Sequence, residues 1–307
     1  MKNIIIGIVA LLLIGIGGYF FYKNYSGDSG AVTGPAATTD SPKPSDTKPA
    51  PIPPVAKPID KTQSVIGRSV ESREIVAYHY GVGETELLFV GGIHGGYEWN
   101  TALVAYEMMD YLKANPNIVP KNLKVTVIPV LNPDGLFKVV GTAGRFTQAD
   151  VSPSQATVVS GRFNANTVDL NRNFDCDWQS VGTWQNKKVS GGSTAFSEPE
   201  SLAVKNYVET NKLQAVVVFY SSVGGVFASN CHNGVLPETR TLTNVYAKAS
   251  GYPAYESFDY YEITGDMVNW LAKNNIPAIS VLLTNHTDTE WVKNKAGIEA
   301  LFTHYSK

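Results

Sequence analysis

"TELLFVGGIHGGYEWN", residues 85 to 100, joins an almost unbroken apolar run to a glycine-rich turn that carries a histidine and a glutamate. A run without a polar alternate reads as a strand covered on both faces. The pattern recurs in "REIVAYHYG" (73–81), "LKVTVIPVLNPDG" (123–135), "QAVVVFYSS" (214–222) and "PAISVLLTN" (277–285). Helical spacing lies between them, at 97–115, 197–212, 236–250 and 263–275, and Ser197 with Glu200 reads as a capped helix start. The alternation predicts an α/β domain with helices on both faces of a mostly buried central sheet. Ligands in such folds bind beyond the carboxyl ends of strands, where His94, Asn132 and Ser221 stand.

Working outward, the 307 residues carry a net charge of -2 and only two cysteines. That balance gives no support for a nucleic-acid partner, and the cysteine count excludes a disulfide-built scaffold. Ile4 to Phe21 is uncharged and just long enough to cross a bilayer as a helix. No small-x-small cleavage site follows, so an uncleaved anchor over 1–23 is expected, with a cleaved signal peptide as the competing reading. Residues 24–64 are rich in Pro, Ser and Thr and poor in large apolar side chains, which predicts a disordered stalk. One globular domain is expected over 65–307, held outside the cytoplasm by a single-pass anchor.

The chemistry-bearing segments follow in order: "GGIHGGYE", "LNPDG", "GRFNANTVDLNRNFDCDW" (161–178), "AFSEPESLAV" and "YYEITGDMVNW" (260–270). In that order they resemble the zinc carboxypeptidase family, from about residue 66 to the C-terminus. The resemblance implies an α/β/α sandwich around a mixed sheet, a zinc cofactor and a peptide substrate with a free C-terminus. It also implies roles. His94 and Glu98 match the first two zinc ligands, although three residues separate them where the family has two. A bulge at Gly95 and Gly96 would absorb the difference; otherwise Glu98 is displaced from the metal. Arg162 matches the donor that polarises the scissile carbonyl. Asn171 and Arg172 match the pair that grips the terminal carboxylate, and Tyr261 the tyrosine that closes over it. Val268 falls near the floor of the side-chain pocket, where an uncharged residue argues against basic or acidic termini.

Two positions depart from the family. Ser221 stands where the third zinc ligand is expected, and a neutral hydroxyl is a poor substitute for imidazole. Leu282, or Leu283 if the register shifts by one, stands where the general-base glutamate is expected, and leucine accepts no proton. Cys231, His232, His286 and Glu290 are the candidate replacements, with Glu290 the candidate base. His286 reads otherwise as a loop cap, and Glu290 as an exposed residue of the final helix. His79 and His304 sit in no motif. Cys176 and Cys231 belong to segments that the resemblance brings together, so a disulfide between them is expected, against two isolated thiols. The residues therefore point to a protein of this family that acts on or recognises peptide C-termini, peptides of the cell envelope included. Hydrolysis is impaired or lost, and the alternative is a catalytically silent binder.

Overall fold

A computed structural model describes residues 62–307. The expected anchor and the expected stalk up to residue 61 lie outside the described residues. Among those described, no helix is long and apolar enough to cross a membrane.

Among the described residues, ten strands and seven α-helices follow one another. They are β1 (Gln63–Arg68), β2 (Glu74–Gly81), β3 (Thr85–Val90), α1 (Trp99–Ala114), β4 (Leu123–Ile128), α2 (Pro133–Val140) and α3 (Gln155–Ser160). Next come a hairpin of β5 (Val181–Trp184) and β6 (Lys187–Ser190), then α4 (Pro199–Thr210), β7 (Leu213–Ser221), β8 (Gly225–Ala228) and α5 (Pro237–Ser250). The chain closes with β9 (Ala254–Tyr255), α6 (Met267–Lys273), β10 (Ala278–Leu283) and α7 (Trp291–Tyr305). Eight strands form one sheet in the order β1-β2-β4-β3-β7-β10-β8-β9. The four central ones, β4-β3-β7-β10, are parallel, and antiparallel pairs at β2/β4 and β10/β8 make the sheet mixed.

Strand β7 explains the unbroken apolar runs. Ala215, Val217 and Phe219 enter a core shared with α1, α5 and α7, while Val216, Val218 and Tyr220 enter a second core shared with α4 and α6. Neither face is wet, so no polar alternate is tolerated. Burying each such Val or Phe is worth roughly 1.5–3 kcal/mol relative to exposure.

From β3 the chain passes to β4 on one side, and β7 later takes the other side. That reversal opens a crevice beyond the carboxyl ends of β3 and β7. Two helix starts show how local sequence and packing share the decision. "NPDG" opens α2: the Asn132 side chain accepts from Gly135 N, Pro133 takes the first turn, and Gly141 ends the helix at φ +75°. The same residues would suit a turn, and only packing decides between them. Glu198 rather than Ser197 holds the N-cap position of helix α4, without a side-chain capping bond, and the Ser197 hydroxyl donates to the Glu198 carboxylate.

Candidate active site

The crevice is a cleft of about 840 Å³ whose lining includes His94, Glu98, Arg162, Asn171, Arg172, Tyr220, Ser221, Tyr261, Val268, Leu282 and His286. Its first wall is built from the turn after β3 and the segment 162–172. His94 and Glu98 are both buried, with His94 Nδ1 2.9 Å from Glu98 Oε1. The turn accommodates its extra residue at Gly95, whose φ is +45° and where a Cβ would sit 2.6 Å from Gly161 O. Glu98 ends the turn and its carboxylate also accepts from Ser221 N–H (3.1 Å).

Asp169 lies behind His94, 3.4 Å from Nε2, and takes the Arg162 guanidinium at 2.8 and 2.9 Å. Burial alone would raise its carboxyl, but Arg162, His94 and Arg172 outweigh that and hold it well below the usual range. Arg162 is itself buried, 3.6 Å from Glu98 and 4.4 Å over the ring of Trp184. A cation enclosed by two carboxylates and an indole is held with little freedom to turn.

Arg172 lies beneath the β5–β6 hairpin. Its Nε and Nη2 donate to Thr183 O (3.1 and 2.9 Å) and its Nη1 to Asn171 O (2.5 Å). Gly182 permits this packing, since a Cβ there would sit 2.9 Å from Arg172 Cδ. A guanidinium has five N–H groups. Three are engaged, which leaves one on each terminal nitrogen. Asn171 is oriented by Asp266 Oδ2, which accepts from its Nδ2 (2.9 Å), and by Tyr220 Oη and Met267 N, which donate to its Oδ1 (both 3.1 Å). The Tyr261 ring lies 5.9 Å from the Arg172 guanidinium.

The second wall comes from the ends of β7 and β10. Here Tyr220, absent from the sequence-based set, faces His94 with ring centroids 5.7 Å apart. Burial pushes its phenol well above 10, so it stays protonated and is a poor metal ligand. Ser221 points elsewhere, to Asn100 Oδ1 (3.1 Å) and His286 Nδ1 (2.8 Å). Leu282, paired in register with Tyr220, is buried in the cleft wall, and Leu283 packs into the opposite core.

The candidate replacements divide. Cys231 is bonded to Cys176 (Cα–Cα 6.2 Å), and exposed His232 pairs with Asp177 (2.9 Å). Glu290 is no base for this cleft and, with a side chain only 12% exposed, does not lie on an open face. Its carboxylate accepts from Tyr252 Oη (2.7 Å), Thr284 N (2.7 Å) and Lys293 Nζ (2.7 Å). Those bonds outweigh desolvation and lower its pKa to about 2. His286 does reach the cleft, its ring 4.8 Å from that of Tyr97. His79 and His304 lie elsewhere, on Thr126 and Glu238.

A metal test follows from these donors. Neither ring nitrogen of buried His94 makes a well-aligned hydrogen bond, which suits a ligand-binding imidazole, and Glu98 adds a second donor. Strand β7 adds no third. Among the described residues, the one trio of candidate donors within 4.8 Å of each other is Cys176, Asp177 and Cys231, whose sulfurs are joined as a disulfide. The donor set falls short of a three-ligand zinc site.

The cleft thus holds a histidine–carboxylate pair beside buried guanidinium groups at the reversal point of a mixed α/β sheet. Residues 52–300 match the zinc carboxypeptidase family, and the chain belongs to it. Zinc is the metal expected of that family. The chain is 29% identical over 208 residues to the human carboxypeptidase N catalytic chain, covering 64% of this chain and 40% of that one. It is 23% identical over 217 residues to gamma-D-glutamyl-L-diamino acid endopeptidase 1 of Lysinibacillus sphaericus, covering 64% and 54%. It thus spans about half the length of these relatives or less. Murein-tripeptide amidase MpaA from Escherichia coli O157 shares the fold at TM-score 0.54 and 21% identity, over 79% of this chain and 92% of that one.

Sequence reasoning missed Asp169, Tyr220 and Asp266. Asp169 sits two residues before Asn171 inside the quoted motif, so that signal was available. Tyr220 and Asp266 are marked only by neighbours far away in the chain.

Proposed function

We propose that this protein binds the C-terminal ends of peptides from a membrane-tethered, extracytoplasmic position, with hydrolysis weak or lost. The observation that carries the reading is the Arg172 guanidinium, which lines the cleft and has one N–H on each terminal nitrogen not taken up by Thr183 or Asn171, the groups that fix its plane. That geometry suits a carboxylate taken as a forked pair. Leu282 lines the same cleft where a base would be needed, and lacking one forgoes roughly a hundred- to ten-thousandfold in rate. Val268 and Leu282 favour an uncharged terminal residue. The uncharged segment 4–21 supports the tether, and the disulfide supports an oxidising compartment. The likeness to an endopeptidase that acts on gamma-D-glutamyl-L-diamino acid bonds makes cell-envelope peptides a reasonable ligand class.

Calorimetry on the full chain tests this, using one peptide as the free acid and as the C-terminal amide. The acid should bind and the amide should not. Arg172→Ala should weaken the acid by at least about thirtyfold, and Arg172→Lys should restore only part of it. Equal binding of acid and amide would end the proposal.

A further inference from the structure

The loop after β10 places a hydrogen-bond acceptor on the wall opposite Arg172, and a count of protons shows which atom it is. Asn100, in the first turn of α1, donates both Nδ2 protons to backbone carbonyls, Asn285 O (2.8 Å) and Asp288 O (2.9 Å). Its Oδ1 can then only accept, and the group that it meets is Ser221 Oγ at 3.1 Å. A serine hydroxyl has a single proton. Once that proton goes to Asn100, Ser221 Oγ can only accept from its other partner, His286 Nδ1 at 2.8 Å. Nδ1 therefore carries the imidazole proton, and Nε2 carries a lone pair.

The ring is held in place from several sides. It packs against Tyr97, with centroids 4.8 Å apart. Asn285 Oδ1 accepts from Thr287 N, Thr287 Oγ1 and Asp288 N, which folds the loop on itself. Glu290 ties down both ends through Thr284 N and Oγ1. The neighbour of Nε2 is Ser222 Oγ at 3.3 Å, a hydroxyl that can rotate away. So much structure around one imidazole leaves an oriented, uncharged acceptor in a cleft that also carries the donors Arg162, Asn171 and Arg172.

A peptide that enters carboxylate first brings acceptors at its end and amide N–H groups just behind. We propose that His286 Nε2 accepts a hydrogen bond from the backbone N–H of the ligand's terminal residue, so that the cleft reads a peptide bond as well as a carboxylate. Arg172 and His286 both line this one cleft, and the carboxylate and the backbone N–H to be read belong to the same terminal residue. The inference rests on the carboxylate-binding reading and extends it from a terminal acid to a terminal amide bond. It requires no metal.

The test is a thermodynamic cycle on the full chain. The free-acid peptide is compared with its depsipeptide, in which an ester oxygen replaces the last backbone N–H. Wild type should bind the ester about five- to tenfold more weakly. His286→Phe, which keeps a ring on Tyr97 but has no acceptor, should weaken the peptide to a similar degree and the ester no further. His286→Ala should behave alike, which guards against a defect peculiar to phenylalanine. Additive losses from the ester and the substitution, or an ester that binds wild type as well as the peptide, would overturn the inference. If the peptide binds in an Arg172-dependent way and the cycle shows no coupling, this inference alone fails. If no free-acid peptide binds wild type, both readings fall.

Discussion

The two walls of the cleft have different chemistry. On the β3 side, His94, Glu98, Arg162, Asp169, Asn171 and Arg172 are charged or strongly polar, buried and mutually oriented. On the β7–β10 side, Tyr220, Ser221, Leu282 and His286 offer a protonated phenol, a hydroxyl, a hydrocarbon and an imidazole held by that hydroxyl. In the proposed reading, the terminal carboxylate is gripped by the first wall, whereas the third metal donor and the base that the family resemblance leads one to expect would both come from the second. Recognition and hydrolysis would then depend on different strands, so that one could persist while the other decays.

The sharpest way to break this contrast is to remove the cation that the first wall is built around. Arg162→Ala leaves Glu98 and Asp169 buried without their partner and should cost about 3–5 kcal/mol of stability. Ser222→Ala on the second wall should stay within about 0.5 kcal/mol. Urea unfolding of both variants decides it, and similar losses would erase the distinction between the walls.

The disulfide joins the two sides, since Cys176 follows the 170–172 segment and Cys231 follows β8. With its ends 55 positions apart in the chain, replacing both cysteines by serine should cost about 4 kcal/mol. Peptide affinity should fall as well if the bond sets the width of the cleft. Undiminished thermal stability in the double variant would show that packing alone holds the walls together.

A smaller effect is expected at Glu290. Its folded pKa of about 2 lies below the ordinary value of 4.5. Because the folded value is depressed, the carboxylate's contribution is fully present above about pH 4.5 and is lost as pH falls toward 2. Glu290→Gln should cost about 2 kcal/mol at pH 7, after allowance for solvent screening, and progressively less toward pH 2. A deficit that does not change with pH would mean that Glu290 contributes shape rather than charge. The same variant should loosen the loop that carries His286, so the second wall should respond more than the first.

The sequence alone determined the layered α/β fold, because β3, β7 and β10 bury both faces and read as nearly unbroken apolar runs. It also pointed to His94, Glu98, Arg162, Asn171 and Arg172, which lie in short segments that the fold brings to one cleft, and to Leu282 as the departure from the family pattern, because one residue at a strand end is legible by itself. Other features required the folded chain. A turn and a helix cap share the residues of "NPDG", and the surrounding packing chose the helix. Tyr220 rather than Ser221 faces His94 because strand alternation and the twist of the sheet set which side chain enters the cleft. Glu290 is a brace and His286 a cleft residue because their partners, Tyr252 for one and Ser221 and Tyr97 for the other, meet them only through tertiary contact. Where a side chain's role lies in its own chemistry, the sequence shows it; where the role lies in which distant group takes its proton, only the assembled structure can.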